Sequence, residues 1–329
     1  MAEVVTLGEC LISFVAVEPG PLADAARFDR FVAGAEANVA VGLARLGHSA
    51  AYIGRVGADG FGEAIRRRLR GEGVGTAHLA TDRDGPTGLM FRERRNLGPA
   101  QVVYTRRGSA GSRLSVEDVD RASDAGAFAE ARWLHLTGIT PALSETARAA
   151  TLRAASLGRA RGLTISLDVN LRRRLWSDAE AAPVLRELAV AADVVLGSPD
   201  ELAVLGRQSP GADPAELARA IFVLGPTTVV FKLGSDGALL IGADAPETPV
   251  ARPALPIPVV ADPVGAGDAF CAGFIAARLE GLSPDRALEQ ANACGAASAA
   301  SLGDQTGLPD RDELATLLAM GAGTPDTIR

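Results

Sequence analysis

Short apolar runs alternate along this chain with longer segments in which apolar residues recur every three to four positions. The first pattern is typical of buried strands and the second of amphipathic helices. Strands are predicted at residues 4–7, 50–56, 133–136, 163–168, 194–196 and 228–233. Helices are predicted at residues 35–46, 61–70, 145–160, 179–191, 199–205 and 214–223, and almost throughout the chain after residue 268. Strands separated by helices predict an α/β fold with a mostly parallel sheet.

Two stretches break this alternation, residues 10–33 and about 86–107. In the second stretch, residues 88–93 and 101–106 are predicted to pair as strands across a turn at Leu97-Gly98-Pro99-Ala100. A hairpin at this place is compatible with a lid over a site at the carboxyl edge of the sheet. It is equally compatible with a simple extension of the sheet edge, and the sequence does not choose between the two.

Composition narrows the class of protein but not its activity. Hydrophobic residues make up 47% of the 329 positions and charged residues 22%, which is ample for a sizeable core. The net charge of −7 argues against a general binder of nucleic acids or anionic membranes, and no apolar run is long enough to span a bilayer. Three widely spaced cysteines argue against a disulfide framework or a zinc site. With a start unlike a signal peptide, these features predict a cytoplasmic protein.

A glycine-rich segment near the carboxyl end carries the most specific chemistry. A β-branched run at residues 257–260 is predicted to be extended, and it is followed by Asp262-Pro263-Val264-Gly265-Ala266-Gly267-Asp268 and an apolar helix. Backbone N–H groups at a helix start without side-chain bulk form an anion site. A carboxylate beside bound phosphate suits a base that accepts the proton of an attacking hydroxyl. Asp268 is therefore a candidate base for phosphoryl transfer, and the alternative is an ordinary turn with an N-capping aspartate.

Two motifs of this chain resemble the signatures of one known enzyme family, and they occur in the same order as in that family. Gly34-Ala35-Glu36-Ala37-Asn38-Val39-Ala40, with Gly54-Arg55-Val56-Gly57-Ala58-Asp59, resembles the amino-terminal signature of the ribokinase-like (PfkB) sugar kinases, and residues 262–274 resemble the carboxyl-terminal one. The resemblance covers essentially the whole chain. It implies a three-layer αβα fold with a mostly parallel sheet, formed by residues 1–329 as one domain, with about residues 10–33 and 86–107 as a small β-strand lid. It also implies a homo-oligomer, a dimer or larger, associated through the lid.

Within the family the chain is most similar to the members that act on 2-keto-3-deoxy sugar acids. This similarity is carried by residues 8–9, 87–89, 104–112, 136–143, 168–172 and 175–176. It implies ATP-dependent phosphorylation of 2-keto-3-deoxygluconate at its primary hydroxyl, with Asp268 as general base. A physical argument points the same way, because planar guanidinium groups clamp carboxylates. Arg106 and Arg172 are placed for such a clamp, and the alternative for each is solvation or a salt bridge.

The resemblance also assigns residues to the substrate, the nucleotide and catalysis. Implied substrate contacts are Gly34, Tyr104, Arg106, Arg172, Asp268 and Asp304. Implied nucleotide contacts are Ser198, Lys232, Gly234, Gly237, Gly265, Gly267 and Asn292. Implied catalytic groups are Asp268, Arg172 and the backbone of Gly265, Ala266 and Gly267. For Tyr104, Asp304 and the Lys232–Gly237 loop, the alternatives are lid packing, a loop turn and a plain β-turn.

The expected cofactors are ATP and Mg²⁺, with K⁺ as a further candidate. Glu201 is expected to organise Mg²⁺ through water, and Asp262 is the candidate for a monovalent cation. The chain departs from the family pattern near each of these two carboxylates. Ser198 stands where asparagine is typical, and Pro263 stands where threonine is typical. These departures weaken the assignments of Ser198 and Asp262.

Other functions remain open at this stage. A related kinase of 2-keto-3-deoxygalactonate, fructose or ribose has the same motifs, and a non-catalytic sugar sensor has the same fold. A Rossmann dehydrogenase is excluded, because the first predicted strand is followed by Gly8-Glu9-Cys10 and not by a Gly-x-Gly-x-x-Gly turn.

Overall fold

The structure is a computed structural model that describes residues 2–95, 98 and 100–321. Its strands are β1 (Val4–Gly8), β2 (Leu11–Ala16), β3 (Phe28–Ala33), β4 (Ala50–Gly57), β5 (Leu79–Asp82), β6 (Leu89–Arg92), β7 (Val102–Thr105), β8 (Trp133–Thr137), β9 (Thr164–Asp168), β10 (Val194–Gly197), β11 (Thr228–Lys232), β12 (Ala238–Gly242) and β13 (Val250–Arg252). Its helices are α1 (Ala35–Arg45), α2 (Gly60–Gly71), α3 (Val116–Asp124), α4 (Glu145–Ala160), α5 (Asp178–Ala191), α6 (Pro199–Gly206), α7 (Pro214–Phe222), α8 (Ala266–Leu279), α9 (Pro284–Ala299) and α10 (Arg311–Gly321).

Nine of the described strands form one large sheet, in the order β13-β12-β11-β10-β9-β8-β1-β4-β5. Neighbours from β11 to β5 are parallel, whereas β12 and β13 run antiparallel at one edge. Strand β1 lies between β4 and β8, with Val4 opposite both Ala50 and Trp133. The prediction of a mostly parallel α/β sheet is therefore confirmed.

Helices cover both faces of this sheet. Successive strand residues point to opposite faces, so Val4 packs into one core cluster and Val5 into the other. Helices α1, α2, α8, α9 and α10 contribute to the first cluster, and α3 to α7 contribute to the second. Because both faces are covered, the central strands β1 and β8 are buried along their whole length, including the polar residues Thr6, His135 and Thr137. In the described part of the chain, no helix combines the length and the apolar character needed to cross a bilayer.

Four described strands form a second, smaller sheet in the order β3-β2-β6-β7, which we call the lid. One cross-strand row in it consists of Phe31, Ser13, Met90 and Tyr104. The predicted hairpin is confirmed as the antiparallel pair β6–β7, and it pairs with β2 instead of extending the large sheet. Of the predicted turn, Leu97 and Pro99 lie outside the described residues.

Residues 257–260 differ from the sequence prediction, because they belong to no strand. Val259 and Val260 are 68% and 58% exposed, and the run lies among Pro256, Pro258 and Pro263. Proline has no N–H for a strand ladder, so β-branched residues alone do not make a strand here. Elements α3, β5, β12 and β13 were not predicted from the sequence. The three cysteines, Cys10, Cys271 and Cys294, are buried and free.

Candidate active site at the start of helix α8

The turn into α8 leaves backbone donors without partners. Gly265 is the N-cap with φ of +87°, and a Cβ there would lie 2.8 Å from the carbonyl oxygen of Asp304, so only glycine fits without strain. The N–H of Ala266 is 3.4 Å from a preceding carbonyl oxygen. The N–H groups of Gly267 and Asp268 have no acceptor among the described residues, and no side chain there caps the helix. Free donors at a helix start suit an anion.

Asp268 is the third residue of α8 and not its N-cap, so the capping alternative is excluded. Its side chain is buried, and Asn38 Nδ2 donates to its Oδ2 at 2.8 Å. Asn170 Nδ2 donates to the other carboxylate oxygen at 3.3 Å. Burial raises the pKa of Asp268, the hydrogen bond from Asn38 opposes this, and the charge of Asp168 adds to it. A raised pKa brings a carboxyl closer to the range in which it accepts protons efficiently.

A fixed positive charge lies beside this helix start. The Nζ of Lys232, at the end of β11, is 2.7 Å from Asp168 Oδ1, and a Cβ at Gly267 would be 3.4 Å from the same Nζ. Burial acts to lower the pKa of Lys232, but the charge of Asp168, other nearby acidic groups and the hydrogen bond to Asp168 together outweigh it, so the pKa is raised. The ammonium therefore stays charged close to the open N–H groups. This combination fits a phosphate group.

The predicted nucleotide-binding residues Gly237 and Asn292 both contact the backbone at the end of β13. Gly237 has φ of +97°, and a Cβ there would overlap with the carbonyl oxygen of Arg252. Asn292 Nδ2 donates to the carbonyl oxygens of Arg252 and Pro253, at 3.1 and 2.9 Å. Gly234 opens a short 3₁₀ turn that connects β11 to the antiparallel β12, so the loop also serves as a hairpin turn. Nucleotide contact at these residues stays a prediction.

Ser198 and Glu201 form a capping box at the start of α6. Glu201 Oε2 accepts from the N–H of Ser198 and Oε1 from the N–H of Leu171, each at 2.9 Å. Both carboxylate oxygens are thus engaged with backbone, which ties α6 to the segment after β9. Among the described residues there is no group of three or more His, Cys, Asp or Glu side chains suited to a metal ion. The roles of Ser198 at the nucleotide and of Glu201 near Mg²⁺ stay predictions.

A cleft of about 340 Å³ brings the lid to the segment that follows β9. It is lined by Val102, Tyr104, Arg106, Leu171, Arg172, Arg173, Arg174 and Leu175. The structure therefore places the three predicted substrate residues Tyr104, Arg106 and Arg172 around one space. Arg172 is exposed and makes no ion pair or side-chain hydrogen bond with any described residue. Its charge also lowers the pKa of Asp268, against the larger effect of burial.

Arg106 differs from Arg172, because it already has a carboxylate partner. Its Nε donates to Glu9 Oε2 at 2.6 Å, and its guanidinium lies 5.2 Å from the centre of the Tyr104 ring. Glu9 is 2% exposed, and a Cβ at Gly88 would lie 2.5 Å from its carboxylate. The salt-bridge alternative therefore applies to Arg106 in this structure, although the residue lines the cleft.

Two other predicted residues lie at the junctions around the site. Gly34 is the N-cap of α1 with φ of +142°, and a Cβ there would lie 2.5 Å from the Glu9 carbonyl oxygen. Asp304 Oδ1 accepts from Arg92 Nη1 at 2.9 Å, and Asp262 pairs with Nη2 of the same guanidinium. Burial raises the pKa of Asp304 to about 7, although Arg92 acts to lower it.

Several residues that shape the site were not singled out from the sequence. They are Glu9, Asn38, Arg92, Asp168 and Asn170. Glu9, Asn38, Asp168 and Asn170 stand inside the motifs that carry the family resemblance, so the motifs could have pointed to them. Arg92 stands in a lid strand and has no local signal, because its partners come from far along the chain.

The site thus combines a helix start with open N–H groups and a cleft rich in arginine, in an αβα fold. The chain belongs to the pfkB family of carbohydrate kinases, because the sequence model of that family matches residues 1–311. The 2-dehydro-3-deoxygluconokinase of Thermoproteus tenax is 39% identical over 322 residues, which are 97% of this chain and 94% of that protein. The enzyme of the same name from Bacillus subtilis (strain 168) is 36% identical over 320 residues, 96% of this chain and 95% of that one. The protein is therefore a carbohydrate kinase.

Solved structures confirm the ribokinase-like fold. The 2-dehydro-3-deoxygluconokinase of Thermotoga maritima has a TM-score of 0.87 at 27% identity, over 97% of this chain and 100% of that one. A putative ribokinase II of E. coli in complex with ATP and Mg²⁺ has a TM-score of 0.88 at 27% identity, over 97% and 100%. A fructokinase double mutant of Vibrio cholerae O395, bound to fructose, ADP and potassium, has a TM-score of 0.82 at 29% identity, over 97% and 98%.

Proposed function

We propose that the protein catalyses the ATP-dependent phosphorylation of 2-keto-3-deoxy-D-gluconate at its primary hydroxyl, giving 2-keto-3-deoxy-6-phosphogluconate. The observation that carries this proposal is the cleft in which Arg172, which has no ion-pair partner among the described residues, faces the lid residues Tyr104 and Arg106. A guanidinium with no protein partner suits the carboxylate of a sugar acid. The names of two relatives, at 39% and 36% identity, support the same substrate.

We assign Asp268 as the general base that accepts the proton of the substrate. In the proposed mechanism its carboxylate accepts the proton of the substrate's primary hydroxyl as the oxygen attacks the γ-phosphorus. Asn38 and Asn170 hold one oxygen each, which fixes the orientation of the carboxylate. The N–H groups of Gly267 and Asp268 stabilise negative charge that develops on the transferring group. Arg172 adds positive charge on the substrate side.

ATP and magnesium fit the residues present at this edge of the sheet. Lys232 and the open N–H groups of α8 are suited to the phosphates, and the complex of the E. coli relative with ATP and Mg²⁺ supports this cofactor pair. Magnesium would neutralise phosphate charge and is held mostly by water and phosphate oxygens, which agrees with few protein ligands. The fructokinase relative binds potassium, but here Asp262 already has Arg92 as counter-ion, so we include no potassium in the mechanism.

A kinase of a neutral sugar is the second candidate. The ion pair of Arg106 with Glu9 favours this candidate. Of the two arginines predicted to bind a carboxylate, Arg172 alone then lacks an ion-pair partner within the part of the chain that the structure describes. A fructokinase at 32% identity over 288 residues is among the relatives. Association of copies through the lid and a cytoplasmic location are further proposals that rest on the family resemblance and composition.

The test is a phosphorylation assay with purified protein and ATP. The acceptors are 2-keto-3-deoxygluconate, 2-keto-3-deoxygalactonate, fructose and ribose, and Asp268→Asn is the control for contaminating kinases. We expect the keto-deoxy acids to be preferred and the activity to disappear in the variant. Preference for fructose or ribose would overturn the sugar-acid proposal and leave the kinase family intact. Product identity is checked by phosphorus NMR, since the proposal requires a phosphate monoester on the primary carbon.

A further inference from the structure

A buried guanidinium links the lid to the loop that precedes α8. Arg92, the last residue of β6, is 6% exposed. Its Nη1 donates to Asp304 Oδ1 at 2.9 Å and its Nη2 pairs with Asp262 Oδ2. Asp262 and Asp304 are each 4% exposed. Two buried carboxylates of separate loops therefore share one positive charge, which is supplied by the lid.

Three of the roughly four acceptor positions of the Asp262 carboxylate are occupied in this arrangement. Its Oδ1 accepts from the N–H of Val264 at 3.1 Å, and its Oδ2 accepts from the N–H of Gly303 at 3.2 Å in addition to Arg92. A cation bound to either oxygen would sit beside a guanidinium in a buried, weakly screened environment, where like charges repel strongly. The residues present therefore do not fit a potassium ion at Asp262.

The two loops held by Arg92 flank the candidate base. A Cβ at Gly265 would lie 2.8 Å from the Asp304 carbonyl oxygen, so the second loop packs directly against the turn into α8. The next residue, Gln305, donates to Asn38 Oδ1 at 3.1 Å, and Asn38 Nδ2 donates to Asp268 Oδ2 at 2.8 Å. Positive charge at the loop junction thus supports the geometry of both the open N–H groups and the carboxylate.

We propose that Arg92 is a built-in cation that takes the place of a monovalent metal ion, so that neither folding nor activity of this kinase depends on potassium. The loops before α8 and after α9 carry negative charge wherever Asp262 and Asp304 are ionised, and the lid brings the compensating charge with it. Arg92 acts through these loops and is a positioning residue. The part of the inference that concerns activity rests on the proposed function, whereas the part that concerns stability does not.

The first experiment compares potassium chloride with tetramethylammonium chloride at equal ionic strength. We expect the wild-type protein to have the same kcat/KM and the same thermal midpoint in both salts. A saturable requirement of the wild type for potassium, in either measurement, would overturn the proposal. The thermal measurement needs no substrate, so it decides the question even if the assay shows that the sugar-acid proposal is wrong.

The second experiment removes the built-in charge. Arg92→Ala in tetramethylammonium chloride should lose on the order of a hundredfold in kcat/KM, because it leaves buried carboxylates without their counter-charge. Added guanidinium ion should restore part of the lost kcat/KM and raise the thermal midpoint of the variant. Arg94→Met is the matched control, since Arg94 is an exposed arginine of the same lid segment, and it should behave as wild type.

Two results would contradict the role of the charge. One is full activity and stability of Arg92→Ala without any added cation. The other is a folded Arg92→Ala that guanidinium does not rescue, which would show that Arg92 supplies packing alone. If the alanine variant does not fold, Arg92→Lys replaces it; this variant keeps the charge and should remain independent of potassium at a reduced rate.

Discussion

The two walls of the candidate site are built in different ways. The wall at the start of α8 is defined by backbone, with Gly265 at φ of +87° and open N–H groups that follow it. The lid wall is defined by charged side chains: Arg106 forms an ion pair with Glu9, and Arg92 forms ion pairs with Asp262 and Asp304. Backbone geometry is indifferent to the sugar, whereas ion pairs can be exchanged for a charged ligand. Changes at the first wall should therefore affect every acceptor, and changes at the second should discriminate between acceptors.

The largest expected effect is at the α8 wall. Asp268→Asn should lower kcat by about 10²–10⁴-fold for every acceptor that the enzyme uses, because the general base is lost. KM should change little. Steady-state kinetics with at least two acceptors make the measurement. A loss of kcat confined to sugar acids would place Asp268 in substrate recognition. The α8 wall would then discriminate between acceptors, contrary to the distinction drawn between the two walls.

The pH dependence should report the same carboxyl group. Burial raises the pKa of Asp268, and the carboxyl accepts a proton only above that pKa. The value of kcat/KM should therefore fall by about tenfold per pH unit below it and be flat above it. Because folding raises this pKa, ionisation at higher pH costs stability, and Asp268→Asn should not lower the thermal midpoint near neutral pH. A pH profile of the variant that keeps the acidic limb would assign the limb to another group.

At the lid wall, the two arginines should differ. Arg172→Met should raise KM for the sugar acid by roughly 10- to 100-fold, since a charged hydrogen bond in a cleft contributes about 1.5–3 kcal/mol. Arg106→Met should have a smaller effect on KM, because Arg106 already pairs with Glu9, but should lower stability by leaving that buried carboxylate without its positively charged partner. The KM for neutral acceptors should be unaffected by Arg172→Met, whereas kcat should fall for every acceptor if Arg172 also stabilises the transferring phosphate. An equal rise in KM for fructose would show that Arg172 does not act by binding the substrate's carboxylate.

The smallest effect is expected where the two walls join. Gly34→Ala should lower the free energy of unfolding by about 1–3 kcal/mol, because a φ of +142° and the nearby Glu9 carbonyl oxygen both disfavour a Cβ. Gly71→Ala is the matched control, since a Cβ there meets nothing within 4 Å. Urea denaturation of both variants gives the comparison. Equal stability of the two would show that the Gly34 junction relaxes freely.

The sequence predicted the parts of this molecule that have a local cause. Helix α4 was predicted at its observed bounds, Glu145–Ala160, and Asp268 was selected from its place in a glycine-rich helix start. Strand β13 was missed because it has only three residues, whereas β12 was missed although it is as long as strands that were predicted. Residues 257–260 were wrongly predicted because β-branched residues favour strands but the prolines around them do not. The Arg92 and Glu9 ion pairs have no periodicity, so only the folded chain shows them.

The position of Arg92 in the chain has a consequence for synthesis. Its partners Asp262 and Asp304 come 170 and 212 residues later, whereas all four lid strands lie before residue 106. A nascent chain can pair its lid strands early, but the guanidinium has neither carboxylate until the last helices emerge. The lid can therefore dock in its final position only on a nearly complete chain, and a chain that stops before residue 304 has a lid that is not fastened to the loop after α9.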